Sequence, residues 1–215
     1  MTGPVKRRYD STRRTEQARA TERAVLRAAH DLFVSQGYAR TTIADIAREA
    51  EVSPETIYAR FKNKPTLLHR VWDVTVGGDD EEVVFHERPE VRAIRAEPDL
   101  ARRLMLHARF STRTAERIGP FLRALQGGAA SDERVAGMLA EMDRQRLTGM
   151  TVLAREAAAT GQLAVSEEEC RDFMWSMTDG YLWSRLVVER GWSSEDFAER
   201  LGRMCVAVLV RGDAD

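Results

Sequence analysis

The chain has 215 residues, 43% hydrophobic and 31% charged, enough for one substantial core or a small domain beside a larger one. No uncharged apolar run approaches the ~20 residues of a membrane span and no signal peptide opens the sequence, so a cytoplasmic protein without membrane contact is expected. The net charge of -1 conceals an asymmetry, because residues 1–70 hold 14 Lys+Arg against 8 Asp+Glu and the remainder holds 19 against 26, the pattern of a polyanion-binding head on an acidic body.

Residues 1–14 (MTGPVKRRYDSTRR) carry Gly, Pro and five basic side chains without an apolar period, which predicts a disordered basic arm. Such an arm lies along phosphates or enters a minor groove, or it is an inert tail. A first helix is expected from Thr15 to Gln36, where Gly37 stops it. Val25, Ala28, Ala29, Leu32 and Phe33 follow at helical spacing and form its core stripe. Thr42 then caps a short helix carrying Ile43, Ile46, Ala47 and Ala50, and Glu51-Val52-Ser53 makes a turn. Ser53 caps the next helix and Pro54 occupies its first position, where a missing N–H costs nothing.

That next helix has about eight residues, too few to hold itself together in water. Ile57 and Phe61, four apart, supply one buried edge. At about 100° per residue the opposite face presents Glu55, Thr56 and Ala59, flanked by Tyr58 and Arg60. Small and polar groups between two long hydrogen-bonding side chains suit entry into a DNA major groove. The competing reading is an ordinary surface helix with a solvated face. Lys64-Pro65 opens a fourth helix with Leu67, Leu68, Val71 and Trp72 on one side, and Lys64 in its first turn is placed to hold a phosphate. Gly77-Gly78 and the acidic residues 79–82 mark a domain border, giving a helix-turn-helix domain over 15–76 and a second domain over 77–215.

No strand pattern follows, and the chain is expected to be all-α. Cap signals predict helices over 89–96, 99–118, 120–126 and from Ser131 or Asp132 to Thr160, with Gly119-Pro120 as a stop. Ser166 with Glu169 is a capping box opening a helix to Arg190, and Ser193 or Ser194 caps the last, to about Arg211. Phe173, Met174, Met177 and Tyr181 form one stripe, while Trp175, Leu182, Trp183 and Leu186 form another. The final helix carries Phe197, Leu201, Met204, Cys205 and Val208 on one stripe, with Val206, Leu209 and Val210 left over. A helix with two apolar faces needs two partners, one of them outside the subunit. Cys170 and Cys205 have neither metal nor redox spacing and are expected to be reduced and buried.

Thr41-Thr42-Ile43, Ile46-Ala47, Val52-Ser53, Thr56-Ile57-Tyr58, Phe61, Lys64 and Leu67-Leu68 resemble the DNA-binding domain of the tetracycline-repressor (TetR) family, over about Thr21 to Val71. Two positions depart from it. Glu51 stands where the family most often has Gly, and Arg60 where it has His, so Glu51 must accept whatever backbone angle the turn demands. The resemblance implies a DNA-binding regulator, a repressor, whose contacts to an operator fall among Thr41, Thr42, Ser53, Glu55, Thr56, Tyr58, Ala59, Arg60, Lys62 and Lys64. It also implies a small-molecule effector pocket in the second domain. Candidate lining residues are Trp72, Leu104, His107, Ser111, Met138, Met142, Arg146, Met174 and Tyr181. Finally it implies a homodimer through a four-helix bundle, with Trp175, Leu182, Trp183, Leu186, Val206 and Leu209 as candidate contacts.

No catalytic constellation is present: GxGxxG, GxxxxGK, GxSxG and HExxH are all absent, and the four histidines show no metal spacing. Neither an enzyme nor a cofactor is expected. The alternative to a DNA-binding regulator is an all-helical interaction module whose basic head binds an acidic partner.

Overall fold

The computed structural model describes residues 6–78, 87–130 and 132–212, with side chains from residue 13 onward. Among these residues every element is helical, apart from one isolated antiparallel bridge between Leu163 and Val210. The chain divides into two compact units. The first comprises Met1–Asp80 and Phe121–Gly137, the second Glu81–Pro120 and Met138–Asp215. Residues 121–137 thus group with the first unit and not with the second.

In the first unit, α1 spans Lys6–Gln36 and so starts nine residues earlier than expected. The predicted arm of residues 1–14 is therefore helical from Lys6; residues 1–5 lie outside the described residues. After Gly3-Pro4 the sequence contains no breaker before Gly37, and Lys, Arg, Glu, Gln and Ala are good helix formers, so nothing ends the helix at Thr15. Gly37, at φ 83°, closes it with an N–H bond to the Phe33 carbonyl. Helix α2 is Ile43–Glu49, α3 is Pro54–Phe61 and α4 is Lys64–Gly77. Val25, Ala29, Phe33, Ile46, Ile57, Phe61, Leu67 and Val71 are buried together in this unit's interior. Phe121, fully buried, completes it, with ring centroids 5.5 Å from His30, 6.3 Å from Phe33 and 6.4 Å from Trp72.

The caps are as the sequence implies. Thr42 and Asp45 form a reciprocal capping box on α2, and the Asp45 carboxylate also accepts from Arg48. The Thr42 hydroxyl first, and the Arg48 guanidinium next, hold the Asp45 carboxyl down at about 2. Glu51 takes the left-handed angle that the turn demands, φ 54°.

In the second unit, α5 is Pro89–Ala96, α7 is Glu133–Ala158 (shared between the units), α8 is Glu167–Met177 and α10 is Ser194–Leu209. Helix α6 corrects the expected stop at Gly119-Pro120, since it runs unbroken over Leu100–Ala129 with Pro120 inside it. Pro120 removes one backbone bond, to the carbonyl of Glu116, and Glu116 is exposed, where water can satisfy that carbonyl. The expected long helix after Ser166 is also interrupted. Helix α8 ends at Met177 with Thr178 as its C-cap, Gly180 adopts φ 84°, and Asp179 caps the restart by accepting from Tyr181 N–H at 2.7 Å. A short helix α9, Tyr181–Trp183, then opens into a π-helical turn, Ser184–Val188.

Leu100, Leu104, Met174, Cys170, Cys205 and Leu209 are fully buried in this unit's core. Gln162 binds its edges together: it accepts from Leu100 N–H at 2.9 Å, donates to the Pro98 carbonyl at 3.0 Å, and its own carbonyl takes Arg211 N–H. Gly119 marks a close approach, because a Cβ there would sit 2.8 Å from the Trp183 ring.

Two outcomes follow. Gly119→Val forces the Trp183 indole aside and lowers stability by about 1–3 kcal/mol, read as a lower thermal midpoint; an unchanged midpoint contradicts this packing. In an NMR pH titration Asp45 has its midpoint at about 2. Because that value lies below the ordinary carboxylate pKa of about 3.9, the cap's contribution is complete above pH ~4 and disappears as the pH falls toward the folded midpoint. Thr42→Val raises the midpoint more than Arg48→Ala, and a wild-type midpoint near 4 contradicts the capping geometry.

Candidate nucleic-acid interface

Helix α3 is set by four features: the Ser53 side chain accepts from Thr56 N–H at 3.3 Å, Pro54 starts the helix, and Ile57 and Phe61 are buried. Its outward surface carries Glu55, Thr56, Tyr58, Ala59 and Arg60, all exposed, with Tyr58 at 51%. The two sides of the helix divide as the 100° wheel requires. Glu55 accepts from its own backbone N–H and from Ser53, which hold its carboxyl below the usual range, so this face presents a carboxylate. Lys62 is exposed and ends α3 at φ 63°, its N–H bonded to the Tyr58 carbonyl at 2.9 Å.

Three of the candidate contacts are engaged within the unit. Thr41 is fully buried, and its hydroxyl donates toward the Gly37 and Leu32 carbonyls at 2.9 and 3.2 Å. It therefore closes the end of α1 and is withdrawn as a DNA contact. Arg60 donates from Nε and Nη2 to Glu22 Oε2 on α1, at 3.0 and 2.7 Å. The Lys64 ammonium donates to the Tyr38 carbonyl at 2.5 Å and lies 4.0 Å from the centroid of the Tyr38 ring. Burial first, and then the Arg134 charge, lower the Lys64 pKa. Thr42 and Ser53 are exposed at the N-termini of α2 and α3, each already accepting one backbone N–H. Glu22, Tyr38 and Asn63 are the residues that sequence reading missed. Asn63, whose side chain caps α4 through Thr66 N–H at 2.9 Å, stood in plain view before Lys64-Pro65. Glu22 gave no signal, being 38 positions from its partner.

The effector-pocket candidates fall in both units. Trp72 belongs to the first unit, against Phe121. In the second unit Leu104 and Met174 are fully buried core, Met138 is buried, and Ser111 and Met142 are half-buried. Tyr181 is 65% exposed, so it is corrected from pocket wall to surface residue: the break at Gly180 turns it outward. Arg146 donates to the Trp175 carbonyl, lies 4.9 Å from that ring and pairs with Asp143 at 3.2 Å. His107 keeps Nε2 buried without a partner, and desolvation pushes its pKa down to about 4, so the ring is neutral at pH 7. A shallow groove of about 670 Å³ lies between α6 and α10, lined by Arg102, Met105, Leu106, Arg109, Arg203 and Val206 among others, and none of the pocket candidates lines it.

Two dimer candidates are also corrected. Trp183 and Leu209 are buried within the subunit, the first against Gly119 and the second in the core. Trp175, Leu182, Leu186 and Val206 are half-buried. The exposed apolar side chains near these helices are Tyr181, Val188, Trp192, Met204 and Val208.

Comparison with known proteins agrees with the geometry of the first unit. Residues 25–71 match the family model for bacterial regulatory proteins of the tetR family. The HTH-type transcriptional regulator TtgR of Pseudomonas putida is 44% identical over 62 residues, a match covering 28% of this chain and 30% of TtgR. The uncharacterized HTH-type transcriptional regulator MT2310 of Mycobacterium tuberculosis is 28% identical over 145 residues, covering 62% of this chain and 77% of that one. Among solved structures, the SmeT–triclosan complex shares the fold with a TM-score of 0.64 at 19% identity, over 89% of this chain and 92% of SmeT. The capped short helix, its buried Ile57 and Phe61 and these matches converge: residues 25–71 form a helix-turn-helix similar to that of bacterial regulatory proteins of the tetR family.

Proposed function

We propose that this chain is a cytoplasmic transcriptional repressor that binds an operator as a homodimer and is released by a small molecule held in the second unit. The observation that carries the DNA-binding part is α3: an eight-residue helix, capped and anchored on one side, with Glu55, Thr56, Tyr58 and Ala59 exposed on the other. Thr56 and Glu55 read base edges, the latter by accepting from a cytosine amino group, the usual base partner of a carboxylate. Tyr58, Lys62 and the remaining donors of Lys64 contact phosphates. The chain acts without enzymatic chemistry, as transcriptional regulators do.

Dimerisation is supported by apolar surface beside the last helices. Met204 and Val208 lie one turn apart on α10, exposed, with Val188 and Trp192 nearby in sequence. One short recognition helix reads few base pairs, and a two-fold pair reads two half-sites about one helical turn apart. The effector part is supported by SmeT, a structure of the same fold solved with triclosan. Release requires the ligand to bind one spacing of the recognition helices more tightly than the other.

Selection of bound fragments from sheared DNA of the source organism, followed by anisotropy titration, tests this directly. Wild type selects a two-fold-related sequence and binds it at least about a thousandfold more tightly than random duplex, with affinity falling steeply as salt rises. Thr56→Ala and Glu55→Ala each lose about 1–3 kcal/mol of discrimination at one base position, whereas Tyr58→Phe weakens all duplexes alike. Met204→Asp with Val208→Asp yields a monomer by sedimentation and loses operator binding. An acidic protein surface bound as well as DNA, with no sequence preference, would favour the interaction-module reading instead.

A further inference from the structure

Arg60 is the long cationic side chain of α3, one turn beyond Thr56 on the same side of the helix. Glu22 on α1 holds it by one edge, Oε2 accepting from Nε and Nη2 at 3.0 and 2.7 Å. The other oxygen of Glu22 faces Arg70 Nε on α4 at 3.5 Å and accepts no hydrogen bond among the described residues. The Glu22 side chain is 14% exposed, whereas that of Arg60 is 56% exposed. A nearly enclosed carboxylate thus lies beneath a guanidinium whose far edge is open to solvent. Beside a face that meets a polyanion, such a carboxylate is on charge alone a disadvantage. Its geometry has a use. A guanidinium has five N–H donors, and the grip on the Nε–Nη2 edge consumes two. Those left, on Nη1 and the second Nη2 hydrogen, form the fork that takes a phosphate through two parallel bonds.

We propose that Glu22 is a positioning residue for DNA recognition: it fixes the inner edge of Arg60 so that the outer edge is a preformed phosphate fork at the end of α3. This rests on the reading of α3 as the DNA-contacting helix. Held this way, Arg60 loses its rotamer freedom on folding and not on binding, which favours the bound state. Arg70 shares the carboxylate from the side of α4, so the same residue joins three helices around the fork.

The test uses the full chain, a duplex fragment selected by wild type from sheared genomic DNA, and anisotropy titrations over a series of KCl concentrations. Glu22→Ala removes a negative charge, so charge alone makes binding tighter. The positioning role has the opposite sign: affinity falls about 5- to 30-fold, and the log–log salt slope shrinks by about one phosphate contact. Arg60→Ala does the same, and the double variant binds no more weakly than Arg60→Ala alone. Equal or tighter binding by Glu22→Ala with an undiminished slope overturns the proposal. So does a loss that adds fully to that of Arg60→Ala, because Glu22 then acts through α1 packing. Circular dichroism confirms that each variant is folded at the temperature used. If the alanine variant is not, Glu22→Gln carries the same comparison, with binding a few-fold weaker supporting the role and unchanged binding overturning it. A wild-type chain that selects no fragment contradicts the DNA-binding reading itself; wild-type binding matched by Glu22→Ala contradicts the positioning role alone.

Discussion

The anchoring of α3 by Ile57 and Phe61 is the contact on which the rest of the first unit depends. Two turns of helix are not stable in water, since nucleation is costly and few bonds repay it. Here both apolar side chains are buried, as are Ile46 on α2 and Leu67 and Val71 on α4. The helix is bracketed by residues with positive φ, Glu51 at 54° and Lys62 at 63°. Each such angle in a non-glycine residue costs on the order of 1–2 kcal/mol. The Ser53 cap and the two buried side chains offset that strain and leave the chain turning sharply at both ends of α3. The sharp turns keep the neighbouring helices clear of its outward face.

Charge in this unit is organised before any partner arrives. Arg48 is held by Asp45, Arg60 by Glu22, and Lys64 by the carbonyl and ring of Tyr38. The basic balance of residues 1–70 is therefore not a loose cloud of cations; at these three positions it is a set of groups with fixed orientation. Fixed donors favour a particular docking geometry, whereas free ones favour any polyanion equally. Glu55, its carboxyl held below the usual range by its own N–H and by Ser53, would, in the proposed DNA-binding reading, work against indiscriminate phosphate contact.

Much of the fold was readable, because its signals are local. Caps at Thr42, Ser53, Ser166 and Ser193, the stop at Gly37, and the apolar stripe of α1 all act within one or two turns. What was missed was either a competition between local signals or a long-range contact. Gly119-Pro120 reads as a break, yet Phe121 and Leu125, both fully buried, outweigh the single bond that Pro120 removes. At Thr178-Asp179-Gly180 the apolar period continues through a break that Gly180 makes at φ 84°. In the site, the outward face of α3 was legible from the wheel. The pairing of Arg60 with Glu22 and the burial of Thr41 were not, since each depends on a partner on another helix or turn. Trp183 and Leu209 show the same limit: periodicity counts apolar faces but does not say which face the subunit covers itself.

The central claim is that α3 is shaped by what lies beneath it and not by its own propensity. Native-state hydrogen exchange on Phe61→Ala, with operator affinity measured on the same sample, tests this most directly. The account predicts that amides of α3 exchange at nearly unfolded rates and that operator binding falls by at least tenfold, a tertiary anchor of this kind being worth about 3–5 kcal/mol, while α8 and α10 keep their protection. Protected α3 amides with unchanged operator affinity would show that the helix stands without its anchor, and would contradict it.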